Sequence, residues 1–368
     1  MNNSIMRNDE QAVFALRSLY QRYGYTQYKM SRFEEYDLYV RNKDFLVSDE
    51  VITFTDHTGR LLALKPDVTL SIIKNTVDRP GAVQKVYYNE NVYRVAKGTH
   101  TFKEIMQAGL ECIGDLGSYE IAEVVLLAAK SLQLISPRYV LDLSHMGLVA
   151  AVLSACGLSE EAKAQALGCI HQKSRHELSA LCAEQGIAPS KEAKLQALID
   201  QCGGAEQVLP ALKALLDTEE ERGAFAEFEA LCSILAQSGY GANLRVDFSV
   251  GNDMKYYSGV VFKGYIEGIP AGVLSGGQYD KLLQKLGRKS GAIGFAVYLD
   301  LLERMEKQES DYDADILLLR EPNADPFALM QAVEALQEQG RVLVASAPPE
   351  DLRYGKVLRF TEGGLKDE

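Results

Sequence analysis

A block of helix-forming sequence interrupts a chain whose flanks alternate like β-strands, and this interruption limits the possible folds. From about 145 to 240, Ala, Leu, Glu, Gln and Lys dominate, and Gly or Pro separates helical segments, of which 160–184 is predicted to be one helix. Alternating apolar residues on either side predict strands, namely a hairpin at 51–64 and strands at 83–88, 105–113, 243–249 and 256–266. We therefore expect an antiparallel sheet with flanking helices and a helical insertion, which is an α+β fold.

The two ends of the chain add elements to this sheet. Helical spacing covers 10–23, and 291–306 starts with small residues and is predicted to become a helix. The charged segment 307–313 is predicted to be a linker, because polar residues without periodicity are typical of loops. A strand–helix–strand pattern follows it. The sequence thus predicts a core at 1–311 and a small C-terminal α/β unit at 312–368.

Charge and composition limit the classes of partner. The chain has 39 Lys and Arg against 51 Asp and Glu, a net charge of -12. Nucleic-acid binding gains much of its affinity from basic contacts to phosphate, so the excess acid disfavours a nucleic-acid partner. No apolar run reaches the roughly eighteen residues of a membrane helix, and the N-terminus lacks the apolar region of a secretory signal. With six scattered cysteines, we expect a cytoplasmic protein with reduced thiols and no membrane partner.

The sequence carries no motif for a metal, a nucleotide cofactor or covalent catalysis. The five histidines show no ligand spacing, and His171 and His176, five residues apart, would point to different faces of a helix. A P-loop, a dinucleotide fingerprint and a Ser-His-Asp arrangement are also missing from the sequence. We therefore expect no metal and no cofactor.

Three groups of polar residues are candidates for a ligand site. Asp67 and Thr69 stand at a predicted helix start, where they either face a ligand amine or cap the helix. Gln107 and Glu111 share one face of a predicted strand across Gly109, which makes either a ligand floor or an ordinary solvated face.

The third group consists of tyrosines near glycine turns. Tyr256 and Tyr257 are adjacent, and Tyr279 follows Gly276-Gly277. Aromatic side chains in this setting form either the walls of a small pocket or part of the apolar core. The sequence leaves both interpretations open.

In their order along the chain, these groups resemble the catalytic core of class II histidyl-tRNA synthetases over roughly residues 8 to 306. The tyrosine pair ends the run Asn252-Asp253-Met254-Lys255-Tyr256-Tyr257, where that family has Arg-Gly-Leu-Asp-Tyr-Tyr. Other family segments match in order at 23–37, 64–69, 92–111 and 291–300. The resemblance implies a class II synthetase-like antiparallel sheet and self-association as a dimer through the 23–37 segment.

The residues that depart from this family are those that would carry its reaction. Asn252 replaces an arginine, Arg94-Val95-Ala96 lacks the glutamate of Arg-x-Glu, and Tyr298-Leu299-Asp300-Leu301 replaces Gly-Leu-Glu-Arg. Adenylation builds negative charge on a phosphate, and losing one preorganised donor typically costs on the order of 100- to 1,000-fold in rate. The resemblance therefore implies a protein that is not an enzyme and has no catalytic residues of its own.

The same resemblance implies that a histidine pocket is retained. Asp67, Thr69 and Gln107 would bind the α-amino group. Glu111 and Tyr257 would engage the imidazole nitrogens, since a carboxylate facing a ring N–H forms a charge-assisted hydrogen bond. The predicted histidine-binding residues, which surround one small zwitterion, are Asp67, Thr69, Arg94, Gln107, Glu111, Tyr256, Tyr257 and Tyr279.

A histidine pocket without the activating charges is the profile of one paralogue family, the regulatory subunits of short-form ATP phosphoribosyltransferase, which this chain resembles. Membership implies a hetero-oligomer with the short catalytic subunit, activation of the first step of histidine biosynthesis, and feedback inhibition by bound L-histidine. Two alternatives stay open. One is a divergent ligase, which the retained Arg94 allows, and the other is a synthetase-like module that binds RNA or protein.

Overall fold

The computed structural model describes residues 7–42, 51–96, 99–251, 256–304, 312–361 and 364–367. We number the strands along the chain as β1 (Thr26–Gln27), β2 (Phe33–Glu35), β3 (Thr53–Thr55), β4 (Leu61–Leu64), β5 (Val83–Val95), β6 (Phe102–Gly114), β7 (Tyr139–His145), β8 (Leu244–Val246), β9 (Val260–Ile266), β10 (Leu274–Gln278), β11 (Gly291–Tyr298), β12 (Ala314–Arg320), β13 (Val342–Ala345), β14 (Tyr354–Thr361) and β15 (Gly364–Asp367). The helices are α1 (Asn8–Arg22), α2 (Tyr36–Val40), α3 (Thr69–Lys74), α4 (Ser118–Ile135), α5 (Met146–Ala155), α6 (Glu160–Gln172), α7 (Arg175–Glu184), α8 (Pro189–Asp200), α9 (Ala205–Lys213), α10 (Glu219–Leu235), α11 (Asp280–Lys285) and α12 (Pro326–Gln337). The chain divides into two compact units, Met1–Met305 and Glu306–Glu368.

An eight-stranded sheet organises the first unit, in the order β1-β5-β6-β11-β10-β9-β7-β8. The five central pairs are antiparallel, whereas β1 joins β5 and β8 joins β7 in parallel at the two edges. The main apolar core combines sheet residues with residues of α1, α4 and the helices between β7 and β8. This is the predicted α+β architecture of a largely antiparallel sheet flanked by helices.

The helical insertion runs from α5 to α10 and separates β7 from β8, which pair with each other. The prediction of one helix over 160–184 is wrong, because α6 ends at Gln172 and α7 begins at Arg175. Lys173 between them is left-handed, with φ of 54°, a conformation that ends a helix. Its Nζ donates to Asp247 Oδ2 at 2.7 Å, a contact that helps to hold the break.

The prediction that 291–306 becomes a helix is also largely wrong. Residues Gly291–Tyr298 form β11, a central strand, and only Leu299–Arg304 turn, as a 3₁₀ segment. Small residues alternate there with Ile293, Phe295 and Val297, a period of two that fits a strand buried on both faces. Its partners are β6 and β10, so β11 crosses the middle of the sheet.

A small second sheet, in the order β2-β4-β3, lies outside the large one. Strands β3 and β4 form the predicted hairpin at 51–64. Phe33 on β2 and Phe54 on β3 are 49% and 37% exposed, and their rings meet edge to face with centroids 5.3 Å apart. This sheet therefore presents an aromatic pair at the surface of the first unit.

The second unit is a four-stranded sheet, in the order β13-β12-β14-β15, with α12 packed on one face through an apolar cluster. The predicted strand–helix–strand corresponds to β12, α12 and β13, while β14 and β15 were not predicted. Most of the predicted linker, 307–311, lies outside the described residues. Across the described ranges, no helix is both long and apolar enough to cross a bilayer.

Candidate functional site

A cavity of about 350 Å³ opens over the centre of the large sheet. Its floor is one face of β6, β11 and β10, and its other walls come from the start of α3, from β5 and from the tyrosines that flank β9 and α11. The residues predicted to bind histidine all line it: Asp67, Thr69, Arg94, Gln107, Glu111, Tyr256, Tyr257 and Tyr279. The fold thus brings together groups from five separate segments of the chain.

The floor follows directly from the strand register. On β6, Glu111 lies opposite Gly294 of β11, and Gln107 lies opposite Tyr298. Successive side chains of a strand alternate between faces, so residues two apart on each strand point into the same space. Between these two ends the floor carries mostly small residues, which are Gly277, Gly294, Ala296 and Ser275.

Glycine is required at two points of this floor by close approach of a neighbouring side chain. A Cβ at Gly294 would lie 1.8 Å from Glu111 Oε2. A Cβ at Gly277 would lie 2.7 Å from ring carbons of Tyr257. Both distances are far below van der Waals contact, so an alanine at either position would displace a side chain that lines the cavity.

Glu111 is the buried acid of the site, with only 2% of its surface exposed. Thr69 Oγ1 donates to its Oε1 at 2.8 Å, and the Tyr279 hydroxyl donates to its Oε2. Burial raises the pKa of Glu111 to about 8, against the opposing effect of these two hydrogen bonds. A carboxylate offers about four acceptor positions, so two hydroxyl donors leave room for a ligand donor.

The start of α3 places Asp67 and Thr69 over the floor. Asp67 Oδ1 accepts a hydrogen bond from the Leu70 amide at 2.9 Å, so it does cap the helix, and it also lines the cavity. The capping interpretation of Asp67 is therefore confirmed, and its contact with a ligand amine stays a prediction. Burial raises the pKa of Asp67, partly offset by the Leu70 amide and the charge of Arg94. Arg94 is fixed by its Nε, which donates to the Pro66 carbonyl at 3.0 Å.

Three tyrosines form an aromatic wall. The rings of Tyr256 and Tyr257 meet edge to face, with centroids 4.7 Å apart and an interplanar angle of 77°. Tyr279 lies 5.8 Å from Tyr256. Burial raises the pKa of Tyr256 and of Tyr279 well above the usual value, so both hydroxyls remain protonated at neutral pH and can donate hydrogen bonds.

Two polar groups in the cavity have no hydrogen-bonding partner among the residues that the structure describes. Gln107 is 4% exposed and its side-chain amide makes no such bond, although it lines the cavity. Tyr88 on β5 is 2% exposed, and its hydroxyl occupies the gap above Gly109, 2.5 Å from where a Cβ would be. Buried polar groups are normally paired, so both point to a polar ligand or water.

The first unit matches the family model described as histidyl-tRNA synthetase over residues 2–302. This chain belongs to the histidyl-tRNA synthetase family. A relative from Oceanobacillus iheyensis, named ATP phosphoribosyltransferase regulatory subunit, is 27% identical over 329 residues, which cover 88% of this chain and 80% of the relative. The predicted resemblance to these regulatory subunits is thereby confirmed.

Solved structures of the family confirm the class II synthetase-like fold. An ATP phosphoribosyltransferase regulatory subunit/histidyl-tRNA synthetase from Bacillus halodurans gives a TM-score of 0.75 at 23% identity, over 96% of this chain and 93% of that one. A chain of the ATP phosphoribosyl transferase complex from Thermotoga maritima gives 0.63 at 18% identity, over 79% of this chain and 97% of that one.

The residues that depart from the family pattern have different surroundings. Asn252 lies outside the described residues. Leu301 is partly buried and packs against the main apolar core. Arg94, by contrast, is retained from the family pattern and lines the cavity.

Three cavity residues were not predicted from the sequence: Tyr88, Ser275 and Tyr298. Tyr88 lies directly across from Gly109 in the pairing of β5 with β6. Ser275 and Tyr298 share a hydrogen bond of 2.8 Å between their hydroxyl oxygens. Alternation within β10 and β11 would have placed the last two on the same faces as Gly277 and Gly294, had β11 been recognised as a strand.

Proposed function

We propose that this chain is a non-catalytic regulatory subunit that binds free L-histidine in the cavity and thereby controls a short ATP phosphoribosyltransferase catalytic subunit. The choice of partner rests on the relatives. The Oceanobacillus protein is named a regulatory subunit of that enzyme, and the related Thermotoga chain comes from a complex of it. The choice of ligand rests on the cavity.

The observation that carries a ligand-binding function is the pair of unsatisfied polar groups. The Gln107 amide and the Tyr88 hydroxyl are both more than nine-tenths buried and lack partners among the described residues. Buried polar groups in folded proteins are normally paired, so two unpaired groups that line the same cavity favour a polar occupant. A small polar ligand would satisfy both.

Glu111 and the aromatic wall favour an imidazole at one end of the cavity. The Glu111 carboxyl group already receives hydroxyls from Thr69 and Tyr279. A bound imidazolium would favour the ionised form of Glu111, whose remaining acceptor positions suit a ring N–H. Tyr257 would meet the second ring nitrogen, and the other tyrosines would enclose the ring. An acid buried among hydroxyls and aromatic rings selects a flat, hydrogen-bonding side chain over an aliphatic one.

At the amino-acid end of the ligand, separate residues would bind the ammonium group and the carboxylate. Asp67, Thr69 and Gln107 line the cavity, and their oxygens would accept hydrogen bonds from the ammonium group. Among the described residues Arg94 makes one side-chain hydrogen bond, through Nε to Pro66. The other donors of its guanidinium suit a carboxylate, which Arg can bind with two parallel hydrogen bonds.

Control of the partner would work through a difference in affinity. If histidine binds one arrangement of the assembly more tightly than another, it shifts the population by that difference and no more. The partner's activity then follows the population. The same scheme accounts for activation without histidine and inhibition with it.

The decisive experiment measures phosphoribosyl-ATP formation by the short catalytic subunit of the same organism. It is run alone, with this chain, and with this chain plus histidine. We expect activity to rise with the chain and to fall with histidine. Glu111→Ala should weaken histidine binding and relieve the inhibition while leaving assembly intact. Glu104→Ala is the matched control, because Glu104 is exposed on the opposite face of the same strand.

Two results would overturn this proposal. If the chain has no effect on the catalytic subunit at any ratio, the regulatory role fails. If Glu111→Ala leaves histidine inhibition unchanged, the ligand site lies elsewhere.

The proposed absence of ligase activity has its own test, because Arg94 is retained in the cavity. Leucine at 301 and asparagine at 252 stand where the family pattern has arginine, and each missing cation is expected to cost on the order of 100-fold or more. Histidine-dependent exchange of pyrophosphate into ATP should therefore be undetectable. Measurable exchange would restore the ligase interpretation.

Self-association through the 23–37 segment is part of the same proposal. The exposed Phe33–Phe54 pair supplies an apolar surface on β2 and β3, and exposed aromatic clusters are typical of interfaces. Phe33→Glu should convert a dimer to a monomer in size-exclusion chromatography with light scattering. Phe14→Glu is the matched control, as Phe14 is equally exposed on α1. A dimer that survives Phe33→Glu would place the interface elsewhere.

A further inference from the structure

The floor of the cavity is closed at one end by a single large side chain. Tyr298 is the last residue of β11 and lies opposite Gln107, whereas Glu111 at the other end lies opposite Gly294. Tyr298 is four positions beyond Gly294, a distance of about 13 Å along a strand. Strand side chains stand roughly perpendicular to the sheet, so Tyr298 rises as a wall at the end away from Glu111.

A hydrogen bond to Ser275 directs the Tyr298 side chain toward the middle of the floor. The Tyr298 hydroxyl lies 2.8 Å from Ser275 Oγ. Ser275 pairs with Ala296, which is two residues before Tyr298 and closer to the middle of the floor. To reach Ser275, the tyrosine ring must lean back over the floor. The residues beneath it, Ala296 and Ser275, are too small to fill that space themselves.

We propose that Tyr298, fixed by Ser275, is a steric stop that limits this site to a free amino acid. The inference rests on the proposed function, in which the imidazole meets Glu111. The amino-acid end, with its ammonium group at Gln107 and its carboxylate at Arg94, then lies toward the other end of the floor. A free carboxylate ends before the ring. A carboxyl group extended by an acyl substituent, as in an aminoacyl nucleotide, would have to pass through the position of the ring.

The position of the stop also explains how one residue can separate two types of ligand. In the family pattern the corresponding position is the glycine of Gly-Leu-Glu-Arg, and here it is Tyr298. Glycine leaves the floor open along the strand, whereas tyrosine fills it. Tyr298 is therefore a specificity-determining residue that acts by excluding volume, with Ser275 as its positioning residue.

Two ligands of different length test the stop directly on the full chain. Isothermal titration calorimetry would compare L-histidine with the sulfamoyl analogue of histidyl adenylate, which continues from the carboxyl end. We expect the wild-type chain to bind histidine at least about 100-fold more tightly than the analogue. Tyr298→Ala should tighten analogue binding by about tenfold or more.

Control variants separate the volume of the ring from its hydroxyl. Tyr298→Phe keeps the ring and should continue to reject the analogue. Ser275→Ala releases the ring without removing it and should admit the analogue to a degree between wild type and Tyr298→Ala. Tyr298→Gly is the second variant, with the same expectation as Tyr298→Ala, and circular dichroism and thermal unfolding would verify that each variant is folded.

The stop is overturned if folded Tyr298→Ala and Tyr298→Gly still reject the analogue, or if the wild-type chain binds it as tightly as histidine. Failure of the proposed function gives a different result, since wild type would then not bind histidine at all. The affinity of each variant for the analogue is compared with that of the wild-type chain. A gain in this affinity therefore supports the steric stop whether or not histidine is the natural ligand.

Discussion

A buried glutamate occurs in both the sheet and the helical insertion, and the two are satisfied in different ways. Glu221, in α10, is fully buried. Lys194 Nζ donates to its two oxygens at 3.0 and 3.1 Å, and the amides of Asp217 and Thr218 donate to it at 3.0 and 2.9 Å. Glu111, on β6, is almost as deeply buried, but within the described residues it receives only two hydroxyls and no cation.

The difference teaches how to separate a structural acid from a binding acid. The acceptor positions of Glu221 are filled by a charge and by backbone amides, which fixes α8 against the start of α10. Glu111 keeps free acceptor capacity. On the same strand, the side-chain amide of Gln107 makes no hydrogen bond within the described chain. Burial alone does not mark a site. Burial together with unused hydrogen-bonding capacity at the wall of a cavity favours one.

The largest expected effect on stability comes from removing Lys194, the cation that pairs with Glu221. Lys194→Met would leave Glu221 buried without its ion pair and should lower the free energy of unfolding by about 3–5 kcal/mol, as measured by urea denaturation. Histidine affinity should not change. Lys213→Met is the control, because the Lys213–Glu229 pair is exposed and such pairs contribute about 1 kcal/mol or less. Equal losses in both variants would contradict the distinction.

The binding acid should reveal itself through pH. The folded protein holds the Glu111 proton up to about pH 8, whereas the unfolded chain releases it near the ordinary value of about 4.5. Rising pH therefore removes stability through this interval. We expect wild type to lose about 3 kcal/mol relative to Glu111→Gln between pH 5 and 8. Parallel stability curves for the two proteins would show that Glu111 ionises normally.

Substitution of Gln107 should lower histidine affinity without lowering the free energy of unfolding, whereas substitution of Lys194 should do the reverse. Gln107→Met replaces an unpaired buried amide with an apolar side chain of similar length, so the free protein should be unchanged or more stable. Histidine affinity should fall about 10- to 100-fold, because the ligand loses a hydrogen bond inside a closed cavity. Calorimetry and urea denaturation of the same preparation measure both quantities. A variant that loses stability and keeps its affinity would make Gln107 structural.

The smallest expected effect is that of the Tyr88 hydroxyl. Tyr88→Phe should weaken histidine binding by less than about tenfold, the contribution of one neutral hydrogen bond. The neighbouring Tyr87 accepts a hydrogen bond from Gln21 and faces away from the cavity. Tyr87→Phe should therefore leave the affinity unchanged. The same affinity for all three proteins would mean that Tyr88 only fills space above Gly109.

Short-range pattern was sufficient for part of the site and insufficient for the rest. Alternation predicts that Gln107, Gly109 and Glu111 share a face, and all three lie on the cavity side of β6. Tyr88 lies on that face only because of the register between β5 and β6. That register is set by tertiary packing, and the local run Val86, Tyr87, Tyr88 has no clear alternation.

The errors in the fold have similar causes. The helix end at Lys173 is weakly marked, since glycine is the usual left-handed residue and the contact with Asp247 comes from 74 positions away. The local signal is the helix start that follows, where Ser174 is the N-cap and Glu177 lies in the first turn. The strand β11 was mistaken because its small residues suggested a helix start, whereas they serve the close contacts of the cavity floor. In the C-terminal unit, β14 mixes exposed Gly355 and Lys356 with buried residues, which hides its strand character.

The crowded floor has a genetic consequence. At Gly294 and Gly277 even a methyl group would push out Glu111 or Tyr257, although neither glycine offers a functional group to a ligand. If the proposed function holds, cells selected for growth on a toxic histidine analogue would escape feedback through substitutions of these glycines as readily as through loss of Glu111. A survey restricted to polar residues would miss such alleles, because they would lie at the two glycines. Substitutions at the same positions could be used to improve an industrial histidine producer.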